Sequence, residues 1–232
     1  MERRSFFKRT LLATGGLLLG GATIHRFLIE KDQKDSPLPP TIERIHLGSK
    51  KNVLVLMSSG TRHGNTDQLT DAYIKGLVER DYSVTKVYLG SMTIDGCRGC
   101  GACQRNVNKR CVIRDGMQDI YPLFSECDTL VLASPLYFWT ITAKLKSFIE
   151  RLYAISIEDK YPSKDMVLLM TAGDDDEKTF EHPLHYYRLI SKVFGGNDKG
   201  TYCAGDCTGC EELARKIDNK HLDKAYEMAL EL

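Results

Sequence analysis

Residues 58–66 form a loop of small and hydroxylated residues, Ser-Ser-Gly-Thr-Arg-His-Gly-Asn-Thr, between an apolar run and an amphipathic stretch. Where a buried strand leads into a helix, the first-turn N–H groups lack partners and the helix dipole favours negative charge. The loop has neither the Gly-x-Gly-x-x-Gly dinucleotide pattern nor the Gly-Lys-Ser/Thr ending of nucleotide triphosphatases, which favours a monophosphate ligand. The alternative is a capped turn with Asn65 or Thr66 as the N-cap residue.

Residues 134–139 read Ser-Pro-Leu-Tyr-Phe-Trp and directly follow the apolar run Leu-Val-Leu-Ala. A proline just beyond a strand ends the ladder, so the aromatic side chains after it fall at the edge of the sheet. A flat heteroaromatic ring could stack on them. The alternative is that Tyr137, Phe138 and Trp139 cap the core or form a dimer contact.

Four of the eight cysteines follow one compact spacing, Cys97-x2-Cys100-x2-Cys103-x7-Cys111. Closely spaced thiolates can ligate one metal centre, and three at x2 spacing plus a fourth suit a [4Fe–4S] cluster. Bare thiols or disulfides, and a structural zinc, are the alternatives that the spacing leaves open.

The other four cysteines carry weaker signals. Cys203, Cys207 and Cys210 could form a disulfide in an oxidising compartment or add to a metal site. Cys127 precedes an apolar run and is expected to be a small buried residue.

An alternation of elements must position these loops. Short apolar runs cover residues 53–57, 84–89, 129–133, 166–171 and 200–203, and helical patterns cover residues 66–79, 117–126, 143–155, 179–193 and 221–230. Continuously apolar strands are typical of a sheet covered on both faces. The pattern predicts an α/β fold, a doubly wound five-stranded parallel sheet with helices on both faces, whose ligand binds at the carboxyl ends of the strands.

In their order and separation these motifs resemble those of the flavodoxin-like NAD(P)H-dependent FMN reductase and iron–sulfur flavoprotein family. The family has Gly-Ser-Pro-Arg-x-x-Gly-Asn-Thr after its first strand, and Ser59, Gly64, Asn65 and Thr66 match it here. Ser58, Gly60 and Thr61 replace the family's Gly, Pro and Arg. The loop of residues 134–138 and the helix after it resemble the family's flavin-ring loop and the helix that follows that loop. Residues 171–174 resemble its third flavin loop. The likeness runs from about residue 51 to the C-terminus.

The resemblance implies that the cofactor is FMN and that some members add a [4Fe–4S] cluster. It assigns FMN to these residues: Ser59, Gly64, Asn65, Thr66, Pro135, Leu136, Tyr137, Phe138, Thr171, Ala172 and Gly173. Of these, Ser59, Asn65 and Thr66 would hold the phosphate, and residues 135–138 and 171–173 would hold the ring. The implied function is an FMN-dependent oxidoreductase or electron carrier, with a [4Fe–4S] cluster as relay where one is bound, and a homo-oligomer is expected. The alternative is a non-catalytic flavin-binding redox sensor acting through its cysteines.

The N-terminus has the layout of an export signal. Residues 2–8 read Glu-Arg-Arg-Ser-Phe-Phe-Lys and precede an uncharged apolar run over residues 11–24, too short for a confident transmembrane helix. The adjacent arginines resemble the twin-arginine motif, which predicts export to the periplasm or cell envelope. We therefore expect a signal or membrane anchor over residues 1–34, a linker over 35–50 and the FMN domain over 51–232, the alternatives being a plain membrane anchor and a cytoplasmic protein.

The charge balance and the export signal bear on the partners. The chain has 32 basic and 31 acidic residues, so its charge is nearly balanced. Its basic residues also form no stripe interleaved with aromatic residues, and both features speak against nucleic acid as a partner. NAD(P)H is the donor that the family name implies, but it is a cytoplasmic reductant. An exported protein would instead need a quinol or a redox protein as its electron donor.

Overall fold

Six strands form one sheet in the computed structural model, which describes residues 40–105, 110–156, 161–209 and 216–232. The strands are β1 (Ile42–His46), β2 (Asn52–Met57), β3 (Ser83–Tyr88), β4 (Thr129–Pro135), β5 (Asp165–Thr171) and β6 (Asp198–Ala204). They lie in the order β1-β3-β2-β4-β5-β6. β1 runs antiparallel to β3, and every other pairing is parallel.

Helices connect the parallel strands, and one more follows the last strand. They are α1 (Asn65–Glu79), α2 (Ala102–Arg105), α3 (Met117–Glu126), α4 (Ala143–Arg151), α5 (Glu177–Val193) and α6 (Asn219–Leu230). Two short 3-10 turns, Leu89–Ser91 and Leu152–Ile155, follow β3 and α4. None of the described helices is both long enough and apolar enough to cross a bilayer.

The sheet is buried on both faces, which explains its continuously apolar strands. In β2, Leu54 and Leu56 belong to a core cluster with residues of α3, α4 and α5. Val53 and Val55 point to a second cluster, which α1 and α6 complete. Because successive side chains of a strand alternate between faces, both sets must be apolar. The predicted doubly wound α/β fold with helices on both faces is confirmed.

The predicted strand count was too low, because β1 lies inside the stretch predicted to be a linker. Its residues, Ile-Glu-Arg-Ile-His, pair with β3 in the registers Ile42 with Val87 and Glu43 with Lys86. Edge strands tolerate charges that a central strand would exclude. Such a short, charged segment after two prolines therefore lacked the apolar run by which the other five strands were predicted. The predicted signal over residues 1–34 lies outside the described residues.

Candidate functional site

Three loops that follow β2, β4 and β5 meet in a cleft of about 300 Å³ at the carboxyl ends of these strands. The cleft is lined by Ser59, Thr61, Gly64, Asn65, Thr66, Pro135, Leu136, Tyr137, Thr171, Ala172, Gly173, Cys207, Thr208 and Gly209. Ten of the eleven residues that the sequence assigns to the cofactor are in this set. The exception is Phe138.

The loop after β2 ends at the open N-terminus of α1. The N-cap residue is Gly64, with φ −75° and ψ 178°, and no side chain caps the helix. The alternative prediction of a turn capped by Asn65 or Thr66 is therefore wrong. Uncapped first-turn N–H groups and the positive end of the dipole of a 15-residue helix are the features to which anions bind at helix N-termini.

Asn65 brings an unpaired acceptor to this cleft. Its Nδ2 donates to the carbonyl oxygen of Thr208 at 2.7 Å, which ties the β2 loop to the segment after β6. Its Oδ1 is buried and has no protein partner in the described part of the chain. Since a buried acceptor without a donor is costly, the side chain is suited to a ligand that supplies a hydroxyl or N–H group.

Hydroxyl groups join the loops after β2 and β5. Thr66 Oγ1 lies 2.7 Å from Thr171 Oγ1, and both side chains are buried at the cleft. Ser59 Oγ accepts the backbone N–H of Thr61 at 3.2 Å, which fixes the turn at the start of the loop. These hydroxyls are rotatable donors, so each can also serve a bound ligand.

The loop after β4 carries a strained aromatic turn. Leu136 donates its backbone N–H to Thr171 at 2.8 Å, and Tyr137 and Thr140 exchange two backbone hydrogen bonds. The two residues between them, Phe138 and Trp139, have φ of 48° and 58°. This is the geometry of a two-residue hairpin turn that glycine and asparagine favour, so it costs energy here.

Phe138 falls in a second cleft that adjoins the first. This cleft of about 330 Å³ is lined by Leu136, Phe138, Trp139, Ala172, Gly173, Asp174 and Thr179. It shares Leu136, Ala172 and Gly173 with the first. Phe138 is 93% exposed and Trp139 63% exposed, so apolar rings line an open surface beside the main cleft.

The loop after β5 is fixed on both sides. Ala172 donates its N–H to Ala204, and Cys207 donates its N–H to Ala172, both at 2.9 Å. Asp174 then accepts the N–H of Asp176 and the hydroxyl of Thr179, and these bonds hold the pKa of the Asp174 carboxyl below its usual value. Residues 207–209 thus form a fourth wall that the sequence motifs did not indicate.

The cysteine loop is not assembled as a metal site. Cys97 and Cys100 are exposed, Cys103 is buried and Cys111 is half-buried. Within the described ranges no group of three or more Cys, His, Asp or Glu side chains is arranged to hold a metal ion. Arg151 ties the two ends of this loop together, because it donates to the carbonyl oxygens of Asp95 and Ile113 and pairs with Asp115.

The remaining cysteines that the structure describes are free thiols. Burial raises the pKa of Cys203 to about 12 and that of Cys207 to about 11, so both are protonated at neutral pH. Cys127 is buried as predicted, and burial raises its pKa to about 12 as well. Cys210 lies outside the described residues.

The chain is similar in sequence to flavoproteins of one family. The model of the NADPH-dependent FMN reductase family matches residues 51–181. An iron–sulfur flavoprotein of Archaeoglobus fulgidus is 37% identical over 97 residues, which cover 42% of this chain and 43% of the relative. An iron–sulfur flavoprotein of Methanocaldococcus jannaschii is 25% identical over 180 residues, which cover 76% of this chain and 92% of the relative.

The fold has solved counterparts. The NAD(P)H:quinone oxidoreductase of Methanothermobacter marburgensis superposes with a TM-score of 0.60 at 15% identity, covering 78% of this chain and 96% of the other. At that identity the likeness shows the shared fold alone.

Proposed function

Since the chain belongs to the NADPH-dependent FMN reductase family, we propose that it is an oxidoreductase that holds FMN in the cleft after β2, β4 and β5. Its electrons would come from a nicotinamide donor, as the family description indicates. The whole protein's donor and acceptor are part of this proposal, because the match to the Archaeoglobus relative covers less than half of that protein.

The observation that carries the proposal is the pairing of an uncapped helix N-terminus with an unpaired buried acceptor in one cleft. The N-terminus of α1 suits the phosphate of FMN. Asn65 Oδ1 can accept from a hydroxyl of the ribityl chain, and Nδ2 uses only one of its two N–H groups on Thr208, which leaves the other to donate to a phosphate oxygen. The side chain of Asn65 therefore suits both the phosphate and the ribityl chain of FMN.

The walls of the cleft suit a cofactor that supplies the redox chemistry itself. Bound FMN accepts and releases electrons singly or in pairs. None of the described residues that line this cleft is a Lys, Arg, Asp, Glu or His. The chain's residues therefore bind and orient the isoalloxazine ring through peptide groups, hydroxyls and apolar surface, and no side chain is required as an acid or base.

The second cleft is the proposed acceptor site. It shares Leu136, Ala172 and Gly173 with the proposed flavin cleft, so a molecule lying in it would be beside the ring. Its exposed Phe138 and Trp139 rings offer surfaces on which a planar acceptor can stack. This geometry supports a planar aromatic electron acceptor.

Flavin content tests the proposal directly. We expect the purified protein to hold one FMN per chain. The double variant Asn65→Leu/Thr66→Val removes two polar groups at the cleft and should weaken FMN binding by about 100-fold. Thr70→Val is the matched control, because Thr70 lies one turn along α1 and bonds the carbonyl of Thr66 without lining the cleft. FMN held by the double variant as tightly as by the wild type would contradict the assignment.

Turnover separates the enzyme from a redox sensor. Steady-state oxidation of NADH or NADPH with a quinone or azo dye as acceptor is expected of the FMN-loaded protein. Stoichiometric flavin reduction without turnover with any donor and acceptor would instead favour the non-catalytic alternative.

A [4Fe–4S] cluster at Cys97, Cys100, Cys103 and Cys111 is a separate proposal. Its support is the cysteine spacing and the names of the two iron–sulfur flavoprotein relatives. In the described residues the four thiols are not gathered at one point, so no step of the reaction is routed through a cluster. Iron analysis decides the matter: after anaerobic reconstitution we expect about four irons per chain, with iron lost in Cys97→Ala while FMN stays bound. Less than about one iron per chain would leave four thiols and a simple flavin reductase.

The twin-arginine signal is also retained as a proposal, supported by Arg3, Arg4 and the apolar run after them. If it is used, the protein works outside the cytoplasm and its donor is a quinol or a redox protein.

A further inference from the structure

A fully buried ion pair lies beside the loop of residues 58–66. Lys86 of β3 and Asp67 in the first turn of α1 are both 0% exposed, and their Nζ and Oδ1 atoms are 2.6 Å apart. Lys86 also contacts Asp71 of α1. Burial alone would lower the pKa of Lys86, but the hydrogen bonds to the two carboxylates raise it above its usual value. The ammonium group is therefore charged, and a cation in the interior of a sheet calls for an explanation.

Asp67 connects this pair to the loop backbone. Its Oδ2 accepts the N–H of His63 at 2.6 Å, while its Oδ1 faces Lys86. His63 has a φ of 58°, in the left-handed region that non-glycine residues rarely adopt. Gln68 Nε2 donates to the carbonyl of His63 at 3.0 Å. Helix α1 thus holds both polar groups of the strained residue that immediately precedes the N-cap.

The edge strand holds the neighbouring residue. Arg62 Nη1 lies 3.0 Å from Glu43 Oε1 of β1, and the guanidinium stacks over the Tyr88 ring at 3.5 Å. Lys86 Nζ is 4.7 Å from the centre of the same ring. Glu43 lies before residue 51, where the match to the family model begins. This contact therefore comes from a part of the chain that the family match does not include.

We propose that Glu43, Arg62, Tyr88, Lys86 and Asp67 form a positioning network for the phosphate end of the FMN site. None of the five lines the cleft, so they act through the loop. Asp67 places a negative charge in the helix turn that is to receive a phosphate, and Lys86 neutralises it. The network holds residues 62 and 63 in the conformation that leaves the N-terminus of α1 open. The inference rests on the proposed FMN site and names the residues that tune it for phosphate.

Comparing FMN with riboflavin isolates this effect, because riboflavin lacks only the phosphate. In Lys86→Met the carboxylates of Asp67 and Asp71 lose their cation, and their repulsion should weaken FMN binding by about tenfold. Riboflavin affinity should change by less than about twofold. A role limited to general stability would weaken both flavins alike.

Two further comparisons separate charge from loop geometry. Asp67→Ala removes the acceptor of the His63 N–H and should weaken FMN more than riboflavin, whereas Asp67→Asn keeps an acceptor and should restore most of the FMN affinity. Asp115→Asn is the matched control, because it alters a second buried ion pair, with Arg151, and neither residue of that pair lines the cleft. The ratio of the two affinities should stay at the wild-type value in this control.

Glu43→Gln tests the network even if a core variant fails to fold, since Glu43 lies on the edge strand and its contact with Arg62 is only partly buried. We expect FMN affinity to fall about threefold with riboflavin unchanged. The network would be overturned if the wild type binds FMN and the folded variants keep its ratio of FMN to riboflavin affinity. The variants that decide this are Lys86→Met, Asp67→Ala and Glu43→Gln. No FMN binding by the wild type would overturn the proposed function itself.

Discussion

Phe138 and Trp139 occupy backbone conformations that aromatic residues seldom adopt. Both have positive φ, in a tight turn between Tyr137 and Thr140. Each such residue lowers the stability of the fold by about 1 kcal/mol or more. Neither ring is buried in the core, so burial does not offset this cost. Because the strained turn is exposed and lies beside a cleft, we expect the two rings to contact a bound ligand.

Phe138→Gly tests this explanation. Glycine adopts positive φ freely, so the free energy of unfolding should rise by up to about 1 kcal/mol. Turnover with a planar acceptor should fall several-fold, because the stacking surface is lost. Phe138→Ala is the control: it removes the ring but keeps the strain, so turnover should fall without the gain in stability. Urea unfolding and steady-state kinetics measure the two effects, and unchanged turnover in both variants would remove Phe138 from the acceptor site.

The sequence indicated those site residues that lie in local motifs. Ser59, Asn65 and Thr66 follow one strand, Pro135 to Tyr137 follow another, and all line the cleft. The wall formed by residues 207–209 was not indicated, because Thr208 meets Asn65 across 143 positions of chain. Lys86 and Asp67 read as ordinary charged residues of a strand and a helix. Only tertiary packing places them together in the interior.

The ion pair of Arg151 with Asp115 links two elements, the end of α4 and the segment that leads into α3. Both guanidinium ends contact the carboxylate, at 2.7 and 3.1 Å, and the two side chains are 1% and 6% exposed. The sequence predicted α4 as part of a helical pattern over residues 143–155. The buried arginine at its end closes the loop that carries the four closely spaced cysteines.

This clamp should make the stability of the loop sensitive to acid. Burial would raise the pKa of Asp115, but the bonds from Arg151 and from the N–H groups of Asp95 and Met117 hold it below its usual value of 3.8. A lowered pKa in the folded state contributes stability above pH 4 or so, and that stability is lost as the pH falls through the folded value.

We expect Asp115→Asn to lower the free energy of unfolding by about 3 kcal/mol at pH 7. The difference in free energy of unfolding between the variant and the wild type should shrink as the pH is lowered below 4. Asp174→Asn serves as the control, since the Asp174 pKa is also lowered but its carboxyl is exposed, and it should change stability far less. Denaturant titrations across this pH range supply the test, and a difference that does not vary with pH would contradict the clamp.

Elements with a clear hydrophobic period were predicted within a few residues of their observed bounds. α3 was predicted over residues 117–126 and is found as Met117–Glu126. β6 was the weakest prediction, at residues 200–203, and is found as Asp198–Ala204 with its first residues exposed. Strand β1 was missed because none of its residues is fully buried, so it lacks an apolar run altogether. Apolar periodicity reports burial, so it is silent where a strand lies at the edge of a sheet.

At the scale of the whole molecule, the proposed cofactor site and the proposed export signal both bear on when the chain folds. The proposed FMN cleft requires a folded sheet, since its walls come from loops after four strands. Residues 1–34 carry the proposed twin-arginine signal, and that route carries proteins already folded. An FMN-binding domain is compatible with such a signal, because FMN could be bound in the folded domain before transport.

The paired arginines Arg3 and Arg4 can be tested as an export signal. Changing Arg3 and Arg4 together to Lys keeps the charge but removes the guanidinium pair that the export receptor reads, so a reporter-fused protein should stay in the cytoplasm. Arg26→Lys is the matched control, since it makes the same exchange beyond the apolar run and should leave export unchanged. Cell fractionation of the three proteins, with flavin fluorescence of each fraction, provides the measurement. We expect FMN in the exported wild type and in the retained variant, because the cleft lies wholly in the unit after residue 40. Equal export of all three would favour an ordinary signal or anchor, whereas retention of all three would place the enzyme beside cytoplasmic NAD(P)H and remove the need for another donor.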